Sequence, residues 1–455
     1  MQPVWAMGAF LRVSTCLALS TACVGTADLN TARPSDEDAG TADAGPLDGG
    51  PSDAGAADAG VAGAAIDGGA PADGGQPTAM KWHPGHYILA PIRPTLPGYV
   101  SAINSLMAEM ASVVDAATGK PAFDGYLGSY TWYWLETREG VYDTTLIDQD
   151  LATLKVLSQR YGKHFRLIIQ LAFDSYGAVP HTIPSTPQVA PYSAASSTYP
   201  GILPDYIING VSGLGQDAFL QVQGLGLTAA WWRPAVMARY VALVRYLGEK
   251  YDSNPDVEMI LPMDQTSDGA ANPPPDLTAA FVKAAWEELI SATAASWPTT
   301  NKILTNNFYG TGSNVPDLLA ISQFAAANGL GMGGPDLSDP PRLAWSEGEL
   351  IIQGAGKSSL DGFETADFGT TDYRGRIPIA FQQQQGGYVS GVTASQFEAF
   401  GWSEVETTHM IWENDSANPN ATMTWAEVVA ALQSQHFRIH SACPTRYGVG
   451  CRATP

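Results

Sequence analysis

The stretch Arg166–Asp174 reads RLIIQLAFD, a run in which apolar residues occupy most positions. A strand of this kind is buried on both faces, which is typical of a parallel sheet covered by helices. Seven further β-like runs alternate along the chain with amphipathic helical stretches. Because parallel strands separated by helices can close on themselves when there are eight of them, the pattern predicts an α/β fold, a (β/α)8 TIM barrel.

The predicted strands share apolar character and turn residues at their ends, and they are His86–Ile92, Gly125–Glu136, His164–Asp174, Val257–Gln265, Lys302–Tyr309, Leu330–Asp336, Ile377–Gln384 and His409–Asp415. Two connections, Ser175–Ala230 and Leu337–Gly375, are far longer than the usual two to six residues. Both follow the carboxyl end of a strand, which in such barrels is the active face. We therefore expect these βα-loop insertions to wall a cleft.

The N-terminus has the composition of an export signal. Residues 1–23 contain a single arginine, an apolar run too short to span a bilayer, and the ending LSTAC (Leu19–Cys23), which resembles a bacterial lipobox. We expect lipidation at Cys23, with membrane contact through the lipid anchor only. The alternative is a cleaved, secreted protein. The predicted location is accordingly the bacterial cell envelope, at the outer membrane or cell surface, or the medium.

Residues 24–80 consist largely of Ala, Gly, Asp and Pro and contain no aromatic residue. Such a segment cannot bury enough apolar area to offset the entropy of ordering, so we predict a disordered linker. Residues 81–455 are predicted to form the barrel domain, because the chain is 45% hydrophobic and its 12 Trp and 18 Tyr allow a large core. The net charge of −22 argues against nucleic acid as a partner.

Cysteine and histidine spacing favours a disulfide over a metal. Outside the export signal only Cys443 and Cys451 remain, and an even pair in an oxidising compartment predicts a disulfide that pins the C-terminal tail. His436 and His440 have helical spacing but no third ligand nearby. We expect neither a metal nor another cofactor.

Strand alternation predicts which side chains face the barrel axis. In RLIIQLAFD the large apolar residues belong against the helices, which leaves Gln170 and Asp174 facing inward. The same reasoning places Asp264, Gln382, Gln384 and Glu413 inward, and Met259, Leu261, Met263, Met410 and Trp412 outward. If the inward and outward faces of the last strand were exchanged, Trp412 would point into the cleft instead.

Aromatic and polar residues near strand ends are the candidates for ligand contact. Trp132, Trp134 and Glu136 would share one face of the second strand, where indoles could stack on sugar rings. The alternatives are that the tryptophans are core residues, that Glu136 holds the following turn, and that His86 positions its strand. The predicted substrate-binding set is His86, Trp132, Trp134, Glu136, Gln170, Asp174, Asn306, Asn307, Asp336, Gln382, Gln384 and Trp412.

Three segments carry a resemblance to a known group of enzymes. They are YTWYWLETREGVYDTTLIDQDLATL from Tyr130, WWRPAVMARYVALVRYLGEKYDSNPDVEMILP from Trp231, and THMIWEND from Thr408. They resemble the second-strand, pre-fourth-strand and eighth-strand regions of (β/α)8-barrel glycoside hydrolases of the β-galactosidase and cellulase superfamily. The resemblance covers most of residues 81–435 and implies a carbohydrate substrate.

The chain departs from that superfamily at its two catalytic positions. Such enzymes carry Asn-Glu after strand four and another Glu at the end of strand seven, whereas this chain has Met263-Asp264-Gln265 and the glutamines that begin at Gln382. A neutral amide is not a glycosidic nucleophile. Hydrolysis needs two carboxyl groups, and their separation is larger for inversion than for retention.

We therefore predict an inverting pair in which Glu413 is the acid and Asp264 the base for water. Two functions stay open: a surface-anchored or secreted glycoside hydrolase, and a catalytically inactive barrel that binds glycans.

Overall fold

The computed structural model describes residues 79–89, 99–172, 204–208, 219–222, 226–263, 274–305, 315–334, 337, 347–358, 366–383, 393–414, 424–435, 437–448 and 450–452. All of these belong to one compact unit. The predicted export signal, Cys23 and the linker up to residue 78 lie outside the described residues. Within the described part, no helix is both long enough and apolar enough to cross a membrane.

Eight parallel strands close into a barrel, which confirms the predicted fold. In chain order they are β1 Gly85–Leu89, β2 Gly125–Thr131, β3 Arg166–Ala172, β4 Val257–Leu261, β5 Asn301–Thr305, β6 Gly331–Gly334, β7 Ile379–Gln383 and β8 His409–Glu413. Each strand pairs with its sequence neighbours, and β8 closes the ring on β1. The observed strands are shorter than the predicted ones, and β2 ends at Thr131 because the chain turns there into a helix.

The helices of the described residues are α1 Tyr99–Ser112, α2 Trp132–Leu135, α3 Thr145–Tyr161, α4 Asp205–Ile208, α5 Pro234–Tyr251, α6 Ala279–Ser296, α7 Val315–Ala327, α8 Glu347–Gln353, α9 Ala394–Ser403 and α10 Trp425–Gln435. Local chemistry accounts for several of the helix starts. Pro234 occupies the first turn of α5, where its missing N–H costs nothing. Thr424 and Glu427 form a capping box at the start of α10 by accepting each other's backbone N–H.

Short strand pairs lie outside the barrel. They join Met80–Lys81 to Cys451–Arg452, Glu136–Arg138 to Val141–Tyr142, Phe219–Val222 to Gly226–Ala229, and Lys357–Ser358 to Ala366–Asp367. The first pair is parallel and brings the start of the folded part next to the C-terminal tail. Met80, assigned to the linker from composition, therefore lies in a strand. The predicted disulfide joins Cys443 to Cys451, with 5.7 Å between their Cα atoms.

The hydrophobic core has two parts, one between the barrel and its helices and one inside the barrel. The inner part is a separate cluster of buried side chains, namely Tyr87, Leu89, Leu127, Ile168, Met259, Leu261, Ile303, Ala380 and Ile411. In a staggered barrel, alternate strands contribute to successive layers of the interior. The pairing register assigns one layer to β2, β4, β6 and β8, made of Leu127, Leu261, Gly333 and Ile411.

Strand β4 contains a bulge that overturns one parity prediction. Leu167 pairs with Val257 and Ile168 with Met259, so Glu258 is an extra residue in the ladder. The alternation shifts after it. Met259 and Leu261, predicted to face the helices, point into the barrel, whereas Met263 packs on the helix side as predicted.

At the N-terminal end of the barrel, a buried polar cluster surrounds Glu258. Its carboxylate accepts hydrogen bonds from His83 Nδ1 at 2.5 Å, Asn301 Nδ2 at 2.6 Å and His409 Nε2 at 3.1 Å. Tyr447, from the tail, donates to Asn301 Oδ1 at 2.8 Å. We call these five residues the basal cluster. It closes the end of the barrel opposite the face where such folds carry their sites.

Candidate functional site

The C-terminal end of the barrel interior is polar, in contrast to the apolar layers beneath it. Strands β1, β3, β5 and β7 contribute one layer there, made of Leu89, Gln170, Thr305 and Gln382. Ser129 of β2 and Glu413 of β8 lie one layer higher, on the two strands that flank β1. Alternation from Leu127 and Ile411, which are both inside the barrel, turns these two side chains inward. The parity predicted for Gln170, Gln382 and Glu413 is therefore confirmed.

Three of these polar side chains are buried without a hydrogen bond to the described part of the chain. Ser129 is 2% exposed, and its Oγ has no partner. Gln170 and Gln382 are 3% and 6% exposed, and their side-chain amides bond to none of the described residues. Thr305 differs, because its hydroxyl donates to the Met263 carbonyl at 3.1 Å. Most buried polar atoms in proteins are hydrogen-bonded, so Ser129 Oγ is an exception. Together with the two amides, which also bond to none of the described residues, it indicates a ligand or water site.

Trp134 is the predicted aromatic residue that keeps partial exposure. It lies in α2, directly after β2, and its ring meets that of Tyr133 edge to face at 5.2 Å. Both side chains are half-buried. Trp134 therefore stays a candidate for ligand contact.

Trp132 does not lie at the mouth, contrary to the prediction. Because α2 begins at Trp132, the expected alternation of a longer strand is lost. The side chain is 1% exposed and packs edge to face on Tyr240 of α5, with 5.0 Å between ring centroids. Trp132 is a core residue, which is the alternative that the sequence left open.

Trp412 and His86 are also buried on the helix side, so their predicted contact with substrate is wrong. Trp412 Nε1 donates to His86 Nδ1 at 3.1 Å, and both rings pack on Phe437, which follows α10. The remaining imidazole nitrogen of His86 donates to the Phe437 carbonyl at 3.4 Å. Burial lowers the pKa of His86 to about 4, which keeps the ring neutral.

Glu136 acts as a structural anchor, not as a free carboxylate at the mouth. It is fully buried and accepts from Trp132 Nε1 at 2.8 Å, the Gly140 N–H at 2.7 Å, the Tyr206 hydroxyl at 2.6 Å and Arg239 Nη2 at 2.5 Å. The bond to Gly140 confirms that Glu136 holds the following turn. Burial and the bond to Glu136 raise the pKa of Tyr206 far above its usual value. Since Tyr206 belongs to α4, Glu136 also fastens part of the long insertion to the barrel.

The other predicted site residues, Asp174, Asp264, Asn306, Asn307, Asp336 and Gln384, lie outside the described residues. No group of three or more metal-binding side chains occurs in the part of the chain that is described. Sequence reasoning missed Ser129, whose inward position follows from the same alternation as that of Leu127. It also missed Tyr206 and Arg239, for which the sequence offers no local sign.

Comparison with known proteins gives similarity in fold only. No family model and no curated protein matches the chain. An endo-glycoceramidase II from Rhodococcus sp., in complex with a cellobiose-like imidazole, is 13% identical over 78% of this chain and 81% of that chain, with a TM-score of 0.44. The β-amylase catalytic domain from Paenibacillus polymyxa is 8% identical over 78% and 99%, with a TM-score of 0.47.

A D-allulose 3-epimerase from Methylomonas sp. is 12% identical over 74% of this chain and 86% of that chain, with a TM-score of 0.36. A barrel fold by itself does not select a reaction. The chain is a closed (β/α)8 barrel with a distant structural similarity to glycoside hydrolases.

Proposed function

We propose that this chain is a glycoside hydrolase-like protein, surface-anchored or secreted, that acts on a poly- or oligosaccharide. The observation that carries the proposal is the inward-facing Glu413 at the carboxyl end of β8, above a layer that contains Gln170 and Gln382. A carboxyl group can transfer protons, and amides can hold hydroxyl groups in place. The combination suits a neutral polyhydroxylated substrate that needs acid–base chemistry.

In this proposal Glu413 protonates the leaving glycosidic oxygen and Asp264 activates water from the other side of the sugar. Two carboxyl groups about 6.5–9.5 Å apart lead to inversion of the anomeric centre. The ring of Trp412 lies on the helix side of β8 and therefore does not face Glu413.

Gln382 is the inward-facing amide near the end of β7. It lies one layer below Glu413, on the neighbouring strand, and its main-chain carbonyl accepts from the Leu337 N–H at 3.1 Å. Its amide cannot replace the nucleophile of a retaining enzyme. It can contact sugar hydroxyls, and we assign it that role.

A second candidate function is glycan binding without hydrolysis. It is favoured by a separate observation, namely that the inward-facing residue near the end of β7, Gln382, is an amide and not a carboxylate. Trp134 would then provide the stacking surface.

The experiment is hydrolysis of a broad polysaccharide panel, with product anomers followed by NMR. Glu413→Gln should reduce turnover by about 10²–10⁴-fold, the usual cost of losing an acid or base. The control is Glu287→Gln in α6, a partly exposed residue whose side chain pairs with Lys283 four residues earlier, and it should leave turnover unchanged.

Retention of configuration would exclude the inverting pair. Full activity in Glu413→Gln would remove Glu413 from the chemistry. A wild-type protein that binds glycans and hydrolyses none of them would establish the second function instead.

A further inference from the structure

We propose that Ser129, Gln170 and Gln382 form a floor that binds one neutral, hydroxyl-rich group of the ligand, entering along the barrel axis. We call these three residues the polar floor. The inference deepens the proposed function, on which it rests for the ligand class, and adds that the site selects against anionic sugars.

The first argument is the hydrogen-bonding capacity of the floor. A glutamine amide offers two donors and an acceptor, and a serine hydroxyl offers one donor and an acceptor. None of these side-chain groups bonds to a described residue, although each residue is more than nine-tenths buried. A sugar hydroxyl both donates and accepts, so a ring carrying several hydroxyls would satisfy the floor.

The second argument is placement. Gln170 and Gln382 belong to one layer, on strands β3 and β7, which stand opposite each other in the ring of eight. Ser129 pairs in register with Gln170 on the adjacent strand. Directly below, Leu127, Leu261 and Ile411 fill the barrel with apolar side chains. A ligand group at the polar floor would therefore find no polar partner beneath it.

The third argument is charge. Recognition of a carboxylate or phosphate ordinarily uses Arg or Lys. The described inward-facing residues of the two upper layers include neither, and Glu413 lies one layer above the amides. An anionic sugar would find no compensating cation among these residues, so a neutral sugar is favoured.

Stability measurements separate this role from a purely structural one. An amide that holds the barrel together loses hydrogen bonds when it is replaced by leucine, and the protein is destabilised. Burying an amide that has no protein partner lowers the stability of the folded state, and a leucine of similar size removes that cost. Gln170→Leu and Gln382→Leu should therefore leave the thermal midpoint unchanged or raise it. Gln433→Leu, at an exposed position of α10, is the matched control.

Binding is then measured by calorimetry with neutral oligosaccharides of glucose, xylose, mannose and galactose, and with oligogalacturonides as the anionic counterpart. We expect at least one neutral series to bind, and each floor variant to weaken that binding by about two- to tenfold. The control should bind as the wild type does, and oligogalacturonides should bind more weakly than oligogalactosides.

Lower thermal midpoints together with unchanged affinity in both floor variants would overturn the inference, as would preferential binding of oligogalacturonides or no binding of any neutral series. Failure of the proposed function has a different signature. If neutral sugars bind in a floor-dependent way but nothing is hydrolysed, the floor stands and the hydrolase does not. If hydrolysis depends on Glu413 while the floor variants bind normally, the proposed hydrolase activity is supported and the polar floor is not.

Discussion

Replacing Glu258 with glutamine should destabilise the barrel strongly, although the residue is far from the proposed site. The carboxylate is fully buried and accepts from four donors. They are the side chains of His83, Asn301 and His409, and the His83 N–H at 3.0 Å. Glutamine has nearly the same shape, but its N–H2 group replaces one carboxylate oxygen. This group then faces the donors that bonded to that oxygen. It therefore loses acceptors and creates a donor–donor contact at the same place.

The magnitude follows from the hydrogen bonds that the carboxylate loses. Each hydrogen bond to a charged group is worth about 1.5–3 kcal/mol, and a buried donor left without an acceptor adds a further cost. Urea unfolding followed by tryptophan fluorescence would measure the loss, with Glu287→Gln as a partly exposed control expected to change stability by less than about 0.5 kcal/mol. A loss below about 1 kcal/mol in Glu258→Gln would refute this account of the basal cluster.

The same cluster predicts a pH dependence. Burial alone would raise the pKa of Glu258, but hydrogen bonds from His409 and His83 outweigh burial and hold the pKa far below its ordinary value of 4.5. A depressed pKa in the folded state contributes stability above the unfolded value, and that contribution is lost as the pH falls below it. The wild type should thus lose stability on acidification below about pH 5, and Glu258→Gln should lose less. Parallel pH profiles for the two proteins would contradict this assignment.

Four further predictions concern the aromatic residues, the insertion and the N-terminus. Trp132→Ala should cost about 3–5 kcal/mol as a core truncation, whereas Trp134→Ala should change urea unfolding much less and weaken glycan binding; equal effects on unfolding would place both in the core. Tyr206→Phe should cost about 1.5–3 kcal/mol, the value of a hydrogen bond to a charged group, and should speed proteolysis within residues 173–230; an unchanged cleavage pattern would argue against the Glu136 anchor. Deleting residues 24–78 should leave the thermal midpoint unchanged, as expected of a linker without a core. Cys23→Ser should release the protein from the membrane fraction, and unchanged fractionation would indicate a different anchor.

Features that depend on local chemistry could be predicted from the sequence. The eight strands follow from apolar runs between amphipathic helices, and the start of α10 follows from the spacing of Thr424 and Glu427. The inward positions of Gln382 and Glu413 were also predictable, because β7 and β8 alternate regularly and carry large apolar residues on the helix side. The disulfide was predictable because only one pair of cysteines remains after the export signal.

Other features depend on contacts between distant parts of the chain. The residues from Tyr130 to Trp134 alternate as a strand would, yet the chain turns into α2 at Trp132, where the indole packs on Tyr240 and bonds to Glu136. The bulge at Glu258 shifts the parity of β4, because donors from three other segments hold its carboxylate inside the barrel. Alternation gives the face of each side chain, but only the stagger of the closed barrel puts Gln170 and Gln382 in one layer below Glu413. The sequence by itself determined the barrel and the faces of regular strands, and tertiary structure decided which polar groups meet, since that depends on closure, stagger and long-range hydrogen bonds.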